Sequence, residues 1–195
     1  MYDAQPDPYC YPGTTVLKNI PGLRTRRALE KFELVASTQR SDEPLPAGRL
    51  SVAHYRAIHH HLFQDVYIWA GKFRTVRIAK DASAFCYPEH IAREMQKLFA
   101  SLRRQKYLGG LPPHEFAVRA ADFLSTLNAI HPFREGNGRT QTVFLMLLAE
   151  HAGHPLNLEK FGPKSFLKAM VSGFHGDDKP LVCEIRKLVG RHARR

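Results

Sequence analysis

Between His131 and Arg139 the chain reads His-Pro-Phe-Arg-Glu-Gly-Asn-Gly-Arg, which puts an imidazole, a carboxylate, two glycines and two guanidinium groups into nine consecutive residues. Such a set can handle phosphate. Gly136 and Gly138, on either side of Asn137, let the backbone take positive φ and aim several N–H groups into one concavity at a helix N-terminus, which is an anion site by geometry. Arg139 can add a charge-assisted fork to the same anion. Glu135 beside a phosphate would be repelled unless a cation lies between them, so a magnesium ion bridging carboxylate and phosphate oxygens is the natural companion. His131 has a reference pKa near neutrality and could take the proton from a hydroxyl attacking that phosphate. Singly, a histidine before proline reads as a helix end and Gly-x-Gly as a C-cap and turn. A base, an acid, a glycine nest and an arginine together favour a site.

The elements that must hold this segment are mostly helical. Ser51 can cap a helix whose apolar positions Val52, Tyr55, Ile58, Leu62 and Phe63 recur at three and four. Pro88 opens another, with Ile91, Met95, Leu98, Phe99 and Leu102 on one face and Glu89 in its first turn. Pro112 and Pro113 open a third, striped by Phe116, Ala120, Phe123, Leu124, Leu127 and Ile130. The run from Thr142 to Ala149 is apolar on every side, which places its helix at the centre of a bundle. A last helix follows Asp178 and Pro180, with Leu181, Val182, Ile185, Leu188 and Val189 inward. One segment breaks the pattern. Phe73 to Ile78 alternates, with Arg74, Val76 and Ile78 on one face, and Ala79 to Ser83 can turn it back through Ala84 to Tyr87 as a β-hairpin. An isolated hairpin is marginal in water and must lean on the helices.

Composition narrows the setting. At 195 residues one domain is the default, and 44% hydrophobic with 24% charged is an ordinary globular balance. No stretch approaches the roughly 20 apolar residues of a membrane span, and the start from Met1 to Tyr11 lacks the pattern of a signal peptide. A cytoplasmic location is therefore expected. Cys10, Cys86 and Cys183 are far apart and outside any C-x-x-C spacing, and read as free thiols. The 29 Lys and Arg against 18 Asp and Glu leave +11, which asks for an acidic partner: nucleic acid, a phosphorylated small molecule or an acidic protein. No aromatic-interleaved platform or zinc-finger spacing supports direct nucleic-acid binding, which is disfavoured. His59-His60-His61 cannot converge on one metal, because consecutive helical residues point about 100° apart.

His131 to Arg139 matches His-x-Phe-x-(Asp/Glu)-Gly-Asn-Gly-Arg, and on this motif the chain resembles the Fic (filamentation induced by cAMP) family. Leu62 to Lys72, the hairpin after it, and Asp7-Pro8-Tyr9 extend the likeness to the small Fic toxins of bacterial toxin–antitoxin pairs, over nearly the whole chain. The resemblance implies one Fic domain over residues 1–195, an all-α helical bundle with a β-hairpin flap at about 73–87 and an active-site loop at 131–139. It implies transfer of AMP from ATP, with Mg2+, to a Tyr, Thr or Ser hydroxyl of a target protein. It further implies His131 as the base and Glu135 as the magnesium ligand. Asn137, with the backbone of Gly136 and Gly138, would cradle the α- and β-phosphates, Arg139 would face the pyrophosphate, and Phe133 would anchor the loop. The flap residues Ile78, Ala79, Lys80 and Asp81 would dock the target by strand addition. The toxin branch implies type II topoisomerase subunits (DNA gyrase or topoisomerase IV) as targets and a small antitoxin protein carrying an inhibitory glutamate.

In one place the chain departs from the pattern. The family motif continues Arg-x-x-Arg, and Thr142 stands at the second arginine. One charged hydrogen bond lost at a γ-phosphate costs about ten- to a hundredfold in rate or affinity. This keeps open transfer of phosphocholine, phosphate or UMP on the same motif, and a weakly active scaffold that binds nucleotide or antitoxin. The inhibitory pattern Ser/Thr-x-x-x-Glu-Gly/Asn is absent from the sequence.

Overall fold

The computed structural model describes residues 7–80 and 83–189. Its helices are α1 (Arg26–Ser41), α2 (Val52–Phe63), α3 (Pro88–Arg104), α4 (Pro113–Ile130), α5 (Asn137–His151), α6 (Pro163–Phe174) and α7 (Lys179–Leu188). Local chemistry starts them where they start. Thr25 and Ser51 accept from the N–H groups of Ala28 and His54, capping α1 and α2. Proline occupies the first turn of α3, α4, α6 and α7, where its missing N–H costs nothing.

The centre of the bundle is α4, which packs against α3, α5, α6 and α7. Its Ala117, Ala120 and Ala121 are fully buried and let neighbours approach closely on several sides. This corrects the central place expected for α5. That helix packs on α2 and α4, while its Val143, Met146 and Leu147 are only half buried and Val143 lines a cavity instead of meeting another helix. Tyr55, Phe99, Phe123, Phe133 and Phe144 interlock as an aromatic centre, ring centroids 5.4–5.8 Å apart, joining α2, α3, α4 and α5 to the turn before α5.

The hairpin is shorter than its pattern suggested. Among the described residues of this segment, Ala79–Lys80 (β1) and Ser83–Ala84 (β2) are the paired strands, antiparallel, with Ala79 opposite Ala84. Phe73 to Ile78 is not a paired strand, only the Ile78 carbonyl accepting from Phe85 N–H (3.3 Å), although exposure alternates from Arg74 on: Arg74 is buried, Val76 and Ile78 half buried, Thr75 and Arg77 exposed. Arg74 spends its donors on carbonyls, that of Val76 in its own segment and those of Cys86 and His131 in others, and that replaces strand pairing here. Asp81 lies outside the described residues, as do Arg191, Arg194 and Arg195 of the basic C-terminus, whose Arg186 and Lys187 are exposed on α7. No helix among the described residues is long and apolar enough to cross a membrane.

Periodicity alone did not single out α1. Its inward face carries Glu33 and Ser37, whereas Leu34 and Val35 are 62% and 49% exposed. The apolar pattern therefore marks the wrong face. Arg40 forks onto Asp65 at 2.6 and 2.9 Å and its carbonyl meets His61 at 2.7 Å, fixing α1 to the end of α2.

Candidate active site

The turn between α4 and α5 is shaped by four residues. His131 ends α4 in the left-handed region (φ 48°, ψ 63°), its N–H still bonded to Leu127, and Pro132 prevents further helix. Phe133 is fully buried, its ring 3.7 Å from His59 and 5.5 Å from Tyr55. Asn137 then closes the turn: its side-chain oxygen accepts from Phe133 N–H (3.0 Å) and its amide donates to the Phe133 carbonyl (2.8 Å). Gly136 takes φ +80°, and a Cβ there would lie 2.4 Å from ring carbons of Phe63. Only glycine fits. Gly138, by contrast, is helical with open space around it, so of the two glycines expected at positive φ only Gly136 needs it.

The turn is polarised because its carbonyls bond inward. Arg74, 2% exposed, donates from Nε to the His131 carbonyl (2.8 Å) and from Nη2 to that of Ile130 (3.3 Å), while its backbone N–H meets Pro132 (2.9 Å). The buried imidazole of His59 holds Glu135. Gly71 N–H donates to Nδ1 (2.8 Å), which leaves the proton on Nε2 to donate to the Glu135 carbonyl at 3.0 Å. Burial pushes the His59 pKa down to about 3, so the ring is neutral at physiological pH. The Gly136 carbonyl accepts from the N–H and hydroxyl of Thr140. With these carbonyls engaged and the first i→i−4 bond of α5 made by Thr140, the N–H groups of Asn137, Gly138 and Arg139 form the positive end of the helix at the cavity.

Each arginine of the turn already has a carboxylate. Arg134 forks onto Asp7 at 2.7 and 2.8 Å. Arg139 pairs with Glu33, bonds Ser37 at 2.8 Å and lies over the Phe63 ring at 4.7 Å. Glu33 also accepts from the Tyr67 hydroxyl, whose pKa is raised by burial and by that carboxylate. Two cations are thus matched by two anions, and Glu135 adds a third negative charge at the mouth. A phosphate would be held by the α5 N–H groups together with whatever cation it brings.

The turn opens onto one cavity of about 980 Å³. His131, Glu135, Asn137, Gly138, Arg139 and Thr142 form its floor, Ile78, Ala79 and Phe85 one wall, and Phe166, Leu167, Met170 and Phe174 of α6 the other. The Phe85 ring stacks on His131 at 4.0 Å (24° between planes) and meets Phe174 edge-on at 5.3 Å. Of the candidate residues, His131, Glu135, Gly138, Arg139, Ile78 and Ala79 line this one cavity. The structure places the Asn137 side chain differently, spending it on Phe133, so Asn137 offers the cavity its backbone. Thr142 bonds the Gly138 carbonyl (3.0 Å) and presents no charge. Among the described residues no three His, Cys, Asp or Glu groups gather to hold a metal. The single exposed carboxylate of Glu135 fits an ion that keeps its waters and arrives on phosphate oxygens, as Mg2+ does.

Sequence reasoning missed Arg74, His59, Glu33 and Phe85. Arg74 left a signal: a charged residue on the same face of an alternating segment as Val76 and Ile78 must find inward partners.

The Fic/DOC family model matches residues 49–149, from just before α2 to the last turns of α5. A curated Sinorhizobium fredii protein named "Probable protein adenylyltransferase y4lH" is 50% identical over 189 residues, covering 96% of this chain and 98% of its own. "Probable protein adenylyltransferase Fic" of Escherichia coli is 35% identical, covering 94% and 92%. Among solved structures, the Bartonella tribocorum effector BepC with bound AMPPNP superposes with a TM-score of 0.82 at 26% identity, over 92% of this chain and 95% of that one. With its turn, cavity and whole-length relatives in agreement, the chain belongs to the Fic/DOC family.

Proposed function

We propose that the protein is an adenylyltransferase that moves AMP from ATP onto a hydroxyl side chain of a target protein. The observation that carries this reading is the placement of His131 and the N-terminus of α5 in one cavity with Glu135 beside them. The α5 N–H groups hold the α- and β-phosphates. His131 accepts the proton as the target oxygen forms its bond to the α-phosphorus, the bond to the bridging oxygen breaks, and pyrophosphate leaves past Arg139. Magnesium held by Glu135 would neutralise charge on the phosphates. The apolar wall of α6 suits the nucleobase. The short hairpin, with Ile78 and Ala79 at the cavity and Lys80 at the end of β1, serves as a flap that docks the target by strand addition.

The toxin resemblance supports finer readings: a type II topoisomerase subunit as target, action in the cytoplasm, and inhibition by a small antitoxin whose glutamate would meet Thr142 in place of the usual arginine. A single domain over the whole chain accords with the whole-length relatives.

Incubation with bacterial lysate, magnesium and either α- or γ-labelled ATP tests the reaction. Label on a protein band from the α position alone is expected. Label from the γ position, or a band only with Thr142→Arg, would overturn it for the natural protein.

A further inference from the structure

We propose that Arg74 is the positioning residue of this site, tying both legs of the hairpin base and the turn that carries His131 into one unit. The inference rests on His131 as the base. Nothing about Arg74 is needed to fill the core, since Val76 and Ile78 occupy the same face of the same segment as apolar side chains. What the arginine adds is direction. Its planar fork reaches the outgoing leg at the Val76 carbonyl (Nη1, 2.6 Å), the returning leg at the Cys86 carbonyl (Nη2, 2.6 Å), and the turn at His131 (Nε, 2.8 Å) and Ile130 (Nη2, 3.3 Å). Its own N–H adds Pro132, and the Cys86 N–H adds Ala129 at 3.0 Å.

Each of these side-chain bonds ends on a carbonyl, at a side chain 2% exposed. A lysine, with three donors on one atom, cannot reach carbonyls that diverge in this way. The tie matters because of what flanks it. His131 sits in the left-handed region, which a residue with a side chain adopts only when its surroundings hold it there. Phe85, one residue before Cys86, stacks on the His131 ring at 4.0 Å. A pull on the returning leg is therefore transmitted by one guanidinium to the carbonyl of the base itself, and the aromatic plate and the imidazole keep register. Docking of a target along the hairpin sets the position of the base, whereas the phosphate end at α5 is left alone.

Arg74→Lys tests this with three readouts. The affinity for MgATP should stay within about twofold, because the fork does not touch the α5 N–H groups. Transfer of α-label should fall at least tenfold with the KM for ATP unchanged, since a misplacement of about 1 Å can cost a hundredfold. The His131 Cε1 signal in a 13C-histidine spectrum, assigned by its loss in His131→Gln, should move. Wild-type rates, a parallel loss of rate and ATP affinity, or an unmoved His131 signal would each overturn the proposal. If wild type transfers no label, the transferase reading fails while the histidine signal still decides the role of Arg74. Hydrogen exchange in the wild type needs no variant. The N–H groups of Arg74, Cys86 and His131 should open with one common free energy, and exchange at Cys86 with the other two still protected would refute the tie.

Discussion

The turn from His131 to Arg139 and the hairpin of β1 and β2 face each other across one cavity and share Arg74, but the turn is held by many more bonds. In the turn, backbone carbonyls are fixed by Arg74, His59, Asn137 and Thr140, and Phe133 is sunk among aromatic rings. The hairpin has one short paired stretch and owes its place to Arg74 and the Phe85 stack. Groups that meet phosphate must be preorganised, because misplaced dipoles forfeit most of their effect. A surface that receives a strand can be set by what it receives. Under the proposed function, the turn would carry the chemistry and the hairpin the selection.

Substitutions should separate the two in order of size. Gly136→Ala places a methyl against Phe63 at a positive φ and should destabilise the fold by about 2–5 kcal/mol in denaturant melts, abolishing nucleotide binding. Gly138→Ala is the control: it meets nothing within 4 Å, so stability should hold or rise slightly while MgATP affinity falls at least tenfold. Equal effects of the two would contradict the division of roles between these glycines.

His59 gives the turn a pH signature. Its folded pKa, about 3, lies below the ordinary value of 6.5, so the unfolded chain takes the proton first. The contribution is complete above about pH 6.5 and is lost as pH falls toward 3, about 2 kcal/mol of it by pH 5. Urea melts of wild type and His59→Gln should converge as pH drops, and parallel curves would remove His59 from the account. At the hairpin, Lys80→Ala should change stability by less than about 0.5 kcal/mol and leave ATP binding intact, while target labelling weakens. Unchanged labelling would argue against the tip as a docking surface.

Much of this was legible in the sequence. The starts of α2, α3 and α4 followed from Ser51, Pro88 and Pro113, and the turn from its own nine residues. The supports were harder to see because they act through backbone atoms remote in sequence. Arg74 reaches Ile130 and His131, and His59 reaches Glu135, contacts that leave no local period. Glu33 was hidden because α1 turns polar residues inward and Leu34 outward. Asn137 was assigned to phosphate, although its carboxamide is the clamp that makes the turn.

The central claim is that His131 acts on the proton of the target while α5 holds the nucleotide. The most direct test is His131→Ala, with label transfer from α-labelled ATP and MgATP affinity measured on the same preparation. Transfer should fall by about 10²–10⁴ with affinity within about twofold of wild type. Transfer that survives the substitution, or binding lost in step with it, would contradict the account.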